Sequence, residues 1–154
     1  METFDHIIRS HPFWQGLDPR YFQVLNDCAA FVKFGVDQPI FHQGVDADRF
    51  YLICTGRVAL ETFVPGKGAI TIETLDAGEA FGWCAFFPPY RWSFSACSVD
   101  PTETIAFGAH GLRKYAEKNH DFGYDLTTRI SRAVLQRLQA TRLQLVEFYA
   151  IPVE

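Results

Sequence analysis

The chain has 154 residues, four cysteines and a formal net charge of −4 at pH 7. This length lets one domain bury a core without disulfides or a metal, and the acidic balance argues against a chain built to neutralise nucleic-acid backbone. The first ten residues lack a signal-peptide pattern, and no apolar run approaches the length needed to span a bilayer. We therefore expect a single cytoplasmic domain over residues 1–154, with its cysteines reduced and packed as small hydrophobic residues.

The first thirty residues have helical patterning. Apolar residues three and four apart predict a short helix over 2–10, and the HPFWQGL segment after it forms a turn. Asp18 as N-cap, with Pro19 at the first helical position, predicts a second helix that continues through about Ala30. Two helices within residues 1–30 therefore precede any strand.

Short β-rich segments follow over residues 31–108, separated by turns of Gly, Asp and Pro. This pattern is typical of an antiparallel roll or barrel. The candidate strands are 31–35, 39–43, 49–55, 57–64, 69–76, 92–99 and 103–108.

Residues 109–149 are helical again, with one short segment and then a long helix for which Asp121 is a suitable cap. Its apolar residues recur over nearly the whole length to Tyr149, which exceeds an ordinary globular helix. The alternate spacing of three and four is that of a coiled-coil seam, so we predict a homodimer through residues 121–149. The predicted interface residues are Leu135, Leu138, Arg142, Leu145 and Tyr149. The alternative is a helix packed only on its own roll.

The segment 78–96, GEAFGWCAFFPPYRWSFSA, has the order of an anion site. Gly78 and Gly82 permit tight turns, and the apolar run after Gly82 can form a short helix that presents backbone N–H groups. Arg91 could then close over a phosphate from the other side. The many aromatic rings of the segment suggest an apolar pocket. The alternative is that the segment is a loop with a chance arginine.

The same segment resembles the phosphate-binding cassette of cyclic-nucleotide-binding domains, the family of the catabolite activator protein, the CRP/FNR regulators and the regulatory subunits of cyclic-AMP-dependent protein kinase. The family pattern is F-G-E, two or three apolar residues, a short loop, then arginine; Phe81, Gly82, 84–87 and Arg91 match it. The runs FHQGV and YLICTGRV resemble the family segments that carry its turn glycines. The run QRLQATRLQLVEFYA resembles its dimerising helix. The resemblance covers roughly 11–149 and implies a mainly β, jelly-roll-like antiparallel β-roll with two short N-terminal helices and a long C-terminal dimerisation helix.

The resemblance also implies a ligand site. In the family, the arginine and helix N–H groups hold the cyclic phosphate, and the glutamate after F-G accepts a hydrogen bond from the ribose 2′-hydroxyl. Trp83 stands at that position and can only donate, so cyclic AMP is expected to bind weakly or not at all. In the long helix, Thr141 and Arg142 stand at the positions of the threonine and serine that touch the base; Thr141 keeps the hydroxyl, whereas Arg142 places a long cation where a small hydroxyl is expected. The implied ligand-binding residues are Gly82, Trp83, Cys84, Ala85, Arg91, Trp92, Ser93, Thr141 and Arg142.

Other chemistries find little support. The histidines include no H-x-H pair, so we expect surface or turn histidines and no metal site, and no catalytic motif indicates an enzyme. Basic residues in the last forty alternate with acids, which favours the solvated face of amphipathic helices; these are Arg113, Lys114, Lys118, Arg129, Arg132, Arg137 and Arg142. No room remains after Tyr149 for a helix-turn-helix domain, so this chain alone is not expected to bind DNA.

We therefore interpret the chain as a cytoplasmic regulatory module. It would bind a cyclic nucleotide or another small anionic ligand at 78–96, dimerise, and signal through its C-terminal helix to a protein effector in trans. No cofactor or membrane contact is expected. The alternative is a degenerate domain whose pocket is filled by Trp83 and which acts as a protein interaction module.

Overall fold

The computed structural model describes residues 3–150. Glu2, where the first helix is predicted to begin, and residues 151–154 of the predicted domain lie outside the described residues. The predicted N-terminal helices are present, with the HPFWQGL turn forming a short 3-10 helix between them. In chain order these elements are helix α1 (Thr3–Ser10), 3-10 helices at Pro12–Trp14 and Pro19–Tyr21, and helix α2 (Phe22–Cys28).

Eight antiparallel strands form two four-stranded sheets, which confirms the predicted β-roll. The strands are β1 (Ala29–Phe34), β2 (Pro39–Phe41), β3 (Arg49–Thr55), β4 (Arg57–Val64), β5 (Gly68–Asp76), β6 (Ala80–Phe81), β7 (Ser95–Ser98) and β8 (Thr102–Gly108). The first sheet has the order β1-β8-β3-β6, and the second has the order β2-β7-β4-β5. All pairings are antiparallel.

The strands differ most from the prediction at three places, and the remaining strand ends agree within two residues. Ala29 and Ala30, expected in the second helix, begin β1 because they pair with β8. The segment from Trp92 to Phe94, expected as strand, precedes β7, and the Trp92 ring instead stacks on a β2 ring in the core. The two-residue strand β6 was not predicted, since it lies between Gly78 and Gly82 and pairs with β3 only through Tyr51 and Leu52.

The core consists of two apolar clusters on either side of the first sheet. One cluster packs that sheet against the helices and includes Trp14, Phe50, Phe107 and Phe122. The other fills the space between the two sheets and is composed of residues such as Phe41, Ile53, Phe81 and Trp92. Burial of this much apolar surface is the main driving force for the fold.

The C-terminal helices are α3 (Ala109–Lys118) and α4 (His120–Ala150). The helix α4 begins one residue before Asp121, which therefore lies in its first turn and is not its cap. Its first three turns are packed on the domain through Phe122, Leu126 and Ile130, whereas the apolar residues from Val134 onward are exposed. None of the helices within residues 3–150 is both long and apolar enough to cross a bilayer.

Candidate ligand-binding site

The cassette, residues 78–96, begins with two glycines in left-handed backbone conformations. Gly82 has φ of +102°, and a Cβ atom there would lie 2.9 Å from the carbonyl oxygen of Arg49 on β3. No side chain could replace this glycine without displacing the strand. The predicted helix after Gly82 is a single 3-10 turn, Trp83–Phe86, whose Ala85 N–H donates back to the Gly82 carbonyl at 3.2 Å.

Arg91 lies at the rim of the cassette with 62% of its side chain exposed. Its Nη1 donates to the carbonyl of Gly44 at 3.2 Å, and its Nε is 4.0 Å from a carboxylate oxygen of Asp46. Glu79, the acid of the cassette itself, accepts instead from the Asp76 N–H at 2.9 Å. The guanidinium is therefore held by a backbone carbonyl and by a carboxylate, and its exposed part faces solvent.

Trp83 is part of the core and does not line an open pocket. Its ring lies 5.2 Å from that of Phe50 and 5.9 Å from that of Phe13, and its Nε1 is buried without a hydrogen-bond partner within residues 3–150. Other cassette rings behave likewise, because Phe81 and Trp92 are buried between the sheets. The expectation that the cassette rings line a pocket is therefore not met by Phe81, Trp83 and Trp92, since these rings contribute more stability by filling the core.

The middle of the cassette is hydrogen-bonded to α3. The carbonyl of Ala85, which is buried, accepts a hydrogen bond from Nη1 of Arg113, and the guanidinium carbon of Arg113 lies 4.3 Å from the centroid of the Tyr90 ring. Cys84 and Ser93 face each other across the cassette, with Sγ and Oγ 3.3 Å apart. These contacts bring the predicted residues Cys84, Ala85 and Ser93 into one compact unit.

Arg137 joins α4 to the cassette. Its side chain is 15% exposed, and its Nη2 donates to the carbonyl of Ala80 while the guanidinium carbon lies 5.2 Å from the centroid of the Trp83 ring. Its Nε is 3.8 Å from a carboxylate oxygen of Glu73 on β5. Burial lowers the pKa of Arg137, against the opposing effect of the nearby acids, and burial raises the pKa of Glu73, which the guanidinium opposes.

The prediction that all basic residues of the last forty lie on solvated helix faces is wrong for three of them, Arg129, Arg137 and the Arg113 that bonds to the cassette. Arg129 is 11% exposed and Arg137 15%, because both extend back over the domain. Arg129 donates through Nε to Asp125 at 2.6 Å and through Nη1 to the carbonyls of Phe13 and Gln15. Alternation of charge along a helix could not reveal these contacts with distant backbone.

The remaining predicted residues lie farther along α4. Thr141 and Arg142 are exposed on the helix beyond Arg137 and are not packed into the cassette. The predicted interface residues are also exposed, and the exposed fraction of the leucines and Tyr149 among them runs from 51% for Leu138 to 79% for Tyr149. The fold of one chain therefore leaves this half of α4 without a covering surface.

His11 is buried, contrary to the prediction that the histidines are surface or turn residues. It caps the 3-10 helix Pro12–Trp14: its Nδ1 accepts from the N–H of Phe13 at 3.1 Å, and its Nε2 lies 3.1 Å from the carbonyl of Ile53. The neutral ring with its proton on Nε2 satisfies both contacts. Within residues 3–150, no group of three or more histidine, cysteine, aspartate or glutamate side chains is placed to hold a metal ion.

We expect the stability of the protein to fall as the pH drops below about 6.5, because burial lowers the pKa of His11 from that value. The unfolded chain then binds more protons than the folded one, so protonation favours unfolding until the pH passes the folded pKa. His11→Asn keeps a cap acceptor but cannot titrate. Urea unfolding across this pH range should give a free energy of unfolding that falls with decreasing pH in the wild type and not in the variant. An equal pH dependence in both would exclude His11 as its source.

Comparison with known proteins agrees with this geometry. A family model described as "Cyclic nucleotide-binding domain" matches residues 31–119. The sequence is 21% identical over 143 residues to the CRP-like cAMP-activated global transcriptional regulator of Mycobacterium tuberculosis, an alignment that covers 93% of this chain. The chain spans 62% of the length of that relative.

Solved structures show the same fold. A cyclic nucleotide-binding domain from Methylobacillus flagellatus superposes with a TM-score of 0.82 at 17% identity, covering 98% of this chain and 86% of the other. The catabolite activator protein of Thermus thermophilus superposes with a TM-score of 0.68 at 25% identity, covering 89% of this chain and 63% of the other. The family match, the β-roll and the cassette lead to one conclusion: the chain belongs to the family of cyclic nucleotide-binding domains.

Proposed function

We propose that the chain is a regulatory module, not an enzyme, in which the cassette binds a small anionic ligand and α4 transmits the bound state. The observation that carries this proposal is the position of Arg137. This one side chain from α4 contacts Ala80 and Trp83 of the cassette together with Glu73 of the roll. Any ligand that shifts the cassette would therefore change the contacts that hold α4.

The ligand would be recognised chiefly through its anionic group. Arg91 supplies an exposed cation at the rim, whereas Trp83 is turned into the core and offers no acceptor to a ribose hydroxyl. The mycobacterial relative is described as cAMP-activated. For this chain we propose a cyclic nucleotide or another phosphate-bearing ligand, with cyclic AMP binding weakly because its 2′-hydroxyl would be left unpaired.

Arg91→Gln should weaken binding of a phosphate-bearing ligand about ten- to a hundredfold, the effect of losing a charge-assisted hydrogen bond of roughly 1.5–3 kcal/mol. Calorimetric titration with cyclic AMP, cyclic GMP and inorganic phosphate measures this. Arg57→Gln is the matched control, because Arg57 is a comparably exposed arginine on β4 outside the cassette. Equal affinities in wild type and Arg91→Gln would remove Arg91 from the site.

Dimerisation is proposed through the exposed half of α4. Leu138→Asp should convert a dimer to a monomer, since it would place an unpaired charge in an apolar interface. Gln139→Asp adds the same charge at the next position, which is exposed and polar, and should leave the dimer largely intact. Sedimentation velocity distinguishes the two variants, and a wild-type monomer at high micromolar concentration would refute the proposed interface.

A second candidate function is a protein interaction module without a ligand. The observation in its favour is the burial of Trp83, which fills space beside Phe13 and Phe50 and is covered by Arg137. This candidate requires that no phosphate-bearing ligand alters the melting temperature. The ligand-binding proposal requires at least one that does.

A further inference from the structure

A cavity lies outside the part of the cassette that carries Arg91. It has a volume of about 310 Å³ and opens between α4, the segment 12–15 and the segment 78–80. This volume is at the lower end of the range for small-molecule sites, roughly 300–1,000 Å³. Three arginines of α4 line it, Arg129, Arg132 and Arg137.

Arg129 lies three positions before Arg132 and eight positions before Arg137, and Ala133 and Gln136 of the same helix also line the cavity. Two of the three are already partly engaged. Arg129 donates through Nε and Nη1, and Arg137 through Nη2, so each keeps one terminal nitrogen free of hydrogen-bond partners within residues 3–150. Arg132 differs from both, because its guanidinium has no ion-pair or hydrogen-bond partner in the described chain.

The three arginines of the cavity differ in their acidic partners. Asp125 and Glu73 pair with Arg129 and Arg137 respectively, whereas no ion pair joins Arg132 to an acid of the described chain. Glu79 also lines the cavity, where its carboxylate accepts from the Asp76 N–H and keeps its negative charge. A guanidinium has five donors in a fixed fork that suits phosphate and carboxylate oxygens, so Arg132 and the free terminal nitrogens beside it can bind the oxygens of an anion.

We propose that this cavity is a binding site for a small dianion, a phosphate monoester or a dicarboxylate. Arg132 would make the main charge-assisted contact, and the free terminal nitrogens of Arg129 and Arg137 would bind the remaining oxygens. The amides of Gln15 and Gln136 supply neutral hydrogen bonds at the wall, and the ring of Phe13 contacts the carbon skeleton. Because the site joins α4 to the roll, an occupied cavity stabilises the packing of α4. The proposal does not depend on a ligand at Arg91.

Calorimetric titration and thermal melting with inorganic phosphate, glycerol phosphate and succinate test the site, with sodium chloride of equal ionic strength as the reference. A dianion should raise the melting temperature of the wild type, and Arg132→Gln should weaken its binding at least tenfold. Gln136→Glu, which adds a negative charge to the same exposed face, should also weaken it. Two control variants should leave the binding of the dianion unchanged. They are Lys114→Gln, which removes an equal charge from an exposed position on α3, and Arg91→Gln.

Comparison of the two phosphates with succinate identifies which dianion the site prefers. Absence of heat and of thermal stabilisation with all three probes would overturn the proposal. So would equal binding by wild type and Arg132→Gln, or equal loss in Lys114→Gln, which would indicate unspecific charge screening. Loss in Arg91→Gln with retention in Arg132→Gln would place the anion in the cassette instead.

Discussion

Gly56→Ala is expected to destabilise the domain by about 3–5 kcal/mol, the largest effect of any single methyl group added to the roll. Gly56 has φ of +99° in the turn between β3 and β4, and a Cβ atom there would lie 2.4 Å from Oγ1 of Thr102 and 2.5 Å from the carbonyl oxygen of Pro101. Those atoms belong to backbone and to a buried side chain, so they cannot move away freely. Urea unfolding gives the free energy directly.

Gly66→Ala is the matched control for this substitution. Gly66 also has a positive φ, +85°, but a Cβ atom there would meet nothing within 4 Å. It should cost only the backbone strain of about 1 kcal/mol. If both variants lost the same stability, the close approach between Gly56 and β8 would not be the reason for the glycine.

Arg137→Met is expected to lower the free energy of unfolding by about 2 kcal/mol at neutral pH, because it leaves the half-buried carboxylate of Glu73 without its cation. Burial already raises the pKa of Glu73 above its usual 4.5, and the loss of Arg137 would raise it further. The folded state then binds more protons than the unfolded state as the pH falls. The loss of stability caused by Arg137→Met should therefore shrink as the pH approaches 4.5. Urea unfolding at several pH values measures it.

Two further variants test whether the loss of stability comes from the broken ion pair or from removing any cation of α4. Arg132→Met removes an exposed cation five positions earlier, and without a ligand it should change stability by less than about 0.5 kcal/mol. The double variant Arg137→Met with Glu73→Gln should recover much of the loss, since no unpaired carboxylate remains. A double variant as unstable as Arg137→Met alone would show that the ion pair contributes little.

Much of the roll could be predicted because its strands are separated by residues with strong local preferences. The strands β3 and β4 have the predicted bounds, since only a glycine fits the turn between them. The prediction failed at Ala29 and Ala30, because alanine by itself favours a helix, whereas pairing with β8 places both residues in a strand. It also failed at His11, whose burial depends on a carbonyl 42 positions away in the chain.

The candidate site was predictable only where its residues are neighbours in sequence. Arg91 was identified from its spacing after Gly82, a local pattern. The contact between Arg137 and Glu73 joins a helix to a strand that are far apart in the chain, and nothing in either segment alone indicates it. Likewise, Trp83 was expected in a pocket because its neighbours are cassette residues, but the rings of Phe13 and Phe50 hold it in the core.

Amide hydrogen exchange of α4 after a change in the cassette tests most directly whether the cassette and α4 are coupled. Trp83→Leu removes the ring beneath Arg137, whereas Phe86→Leu removes another ring that packs on Phe50 and serves as the control. We expect exchange around Arg137 to rise at least tenfold in Trp83→Leu and to stay near the wild-type rate in Phe86→Leu, with β8 protected in both. Unchanged exchange of α4 in Trp83→Leu, or an equal rise in the two variants, would contradict coupling through Arg137.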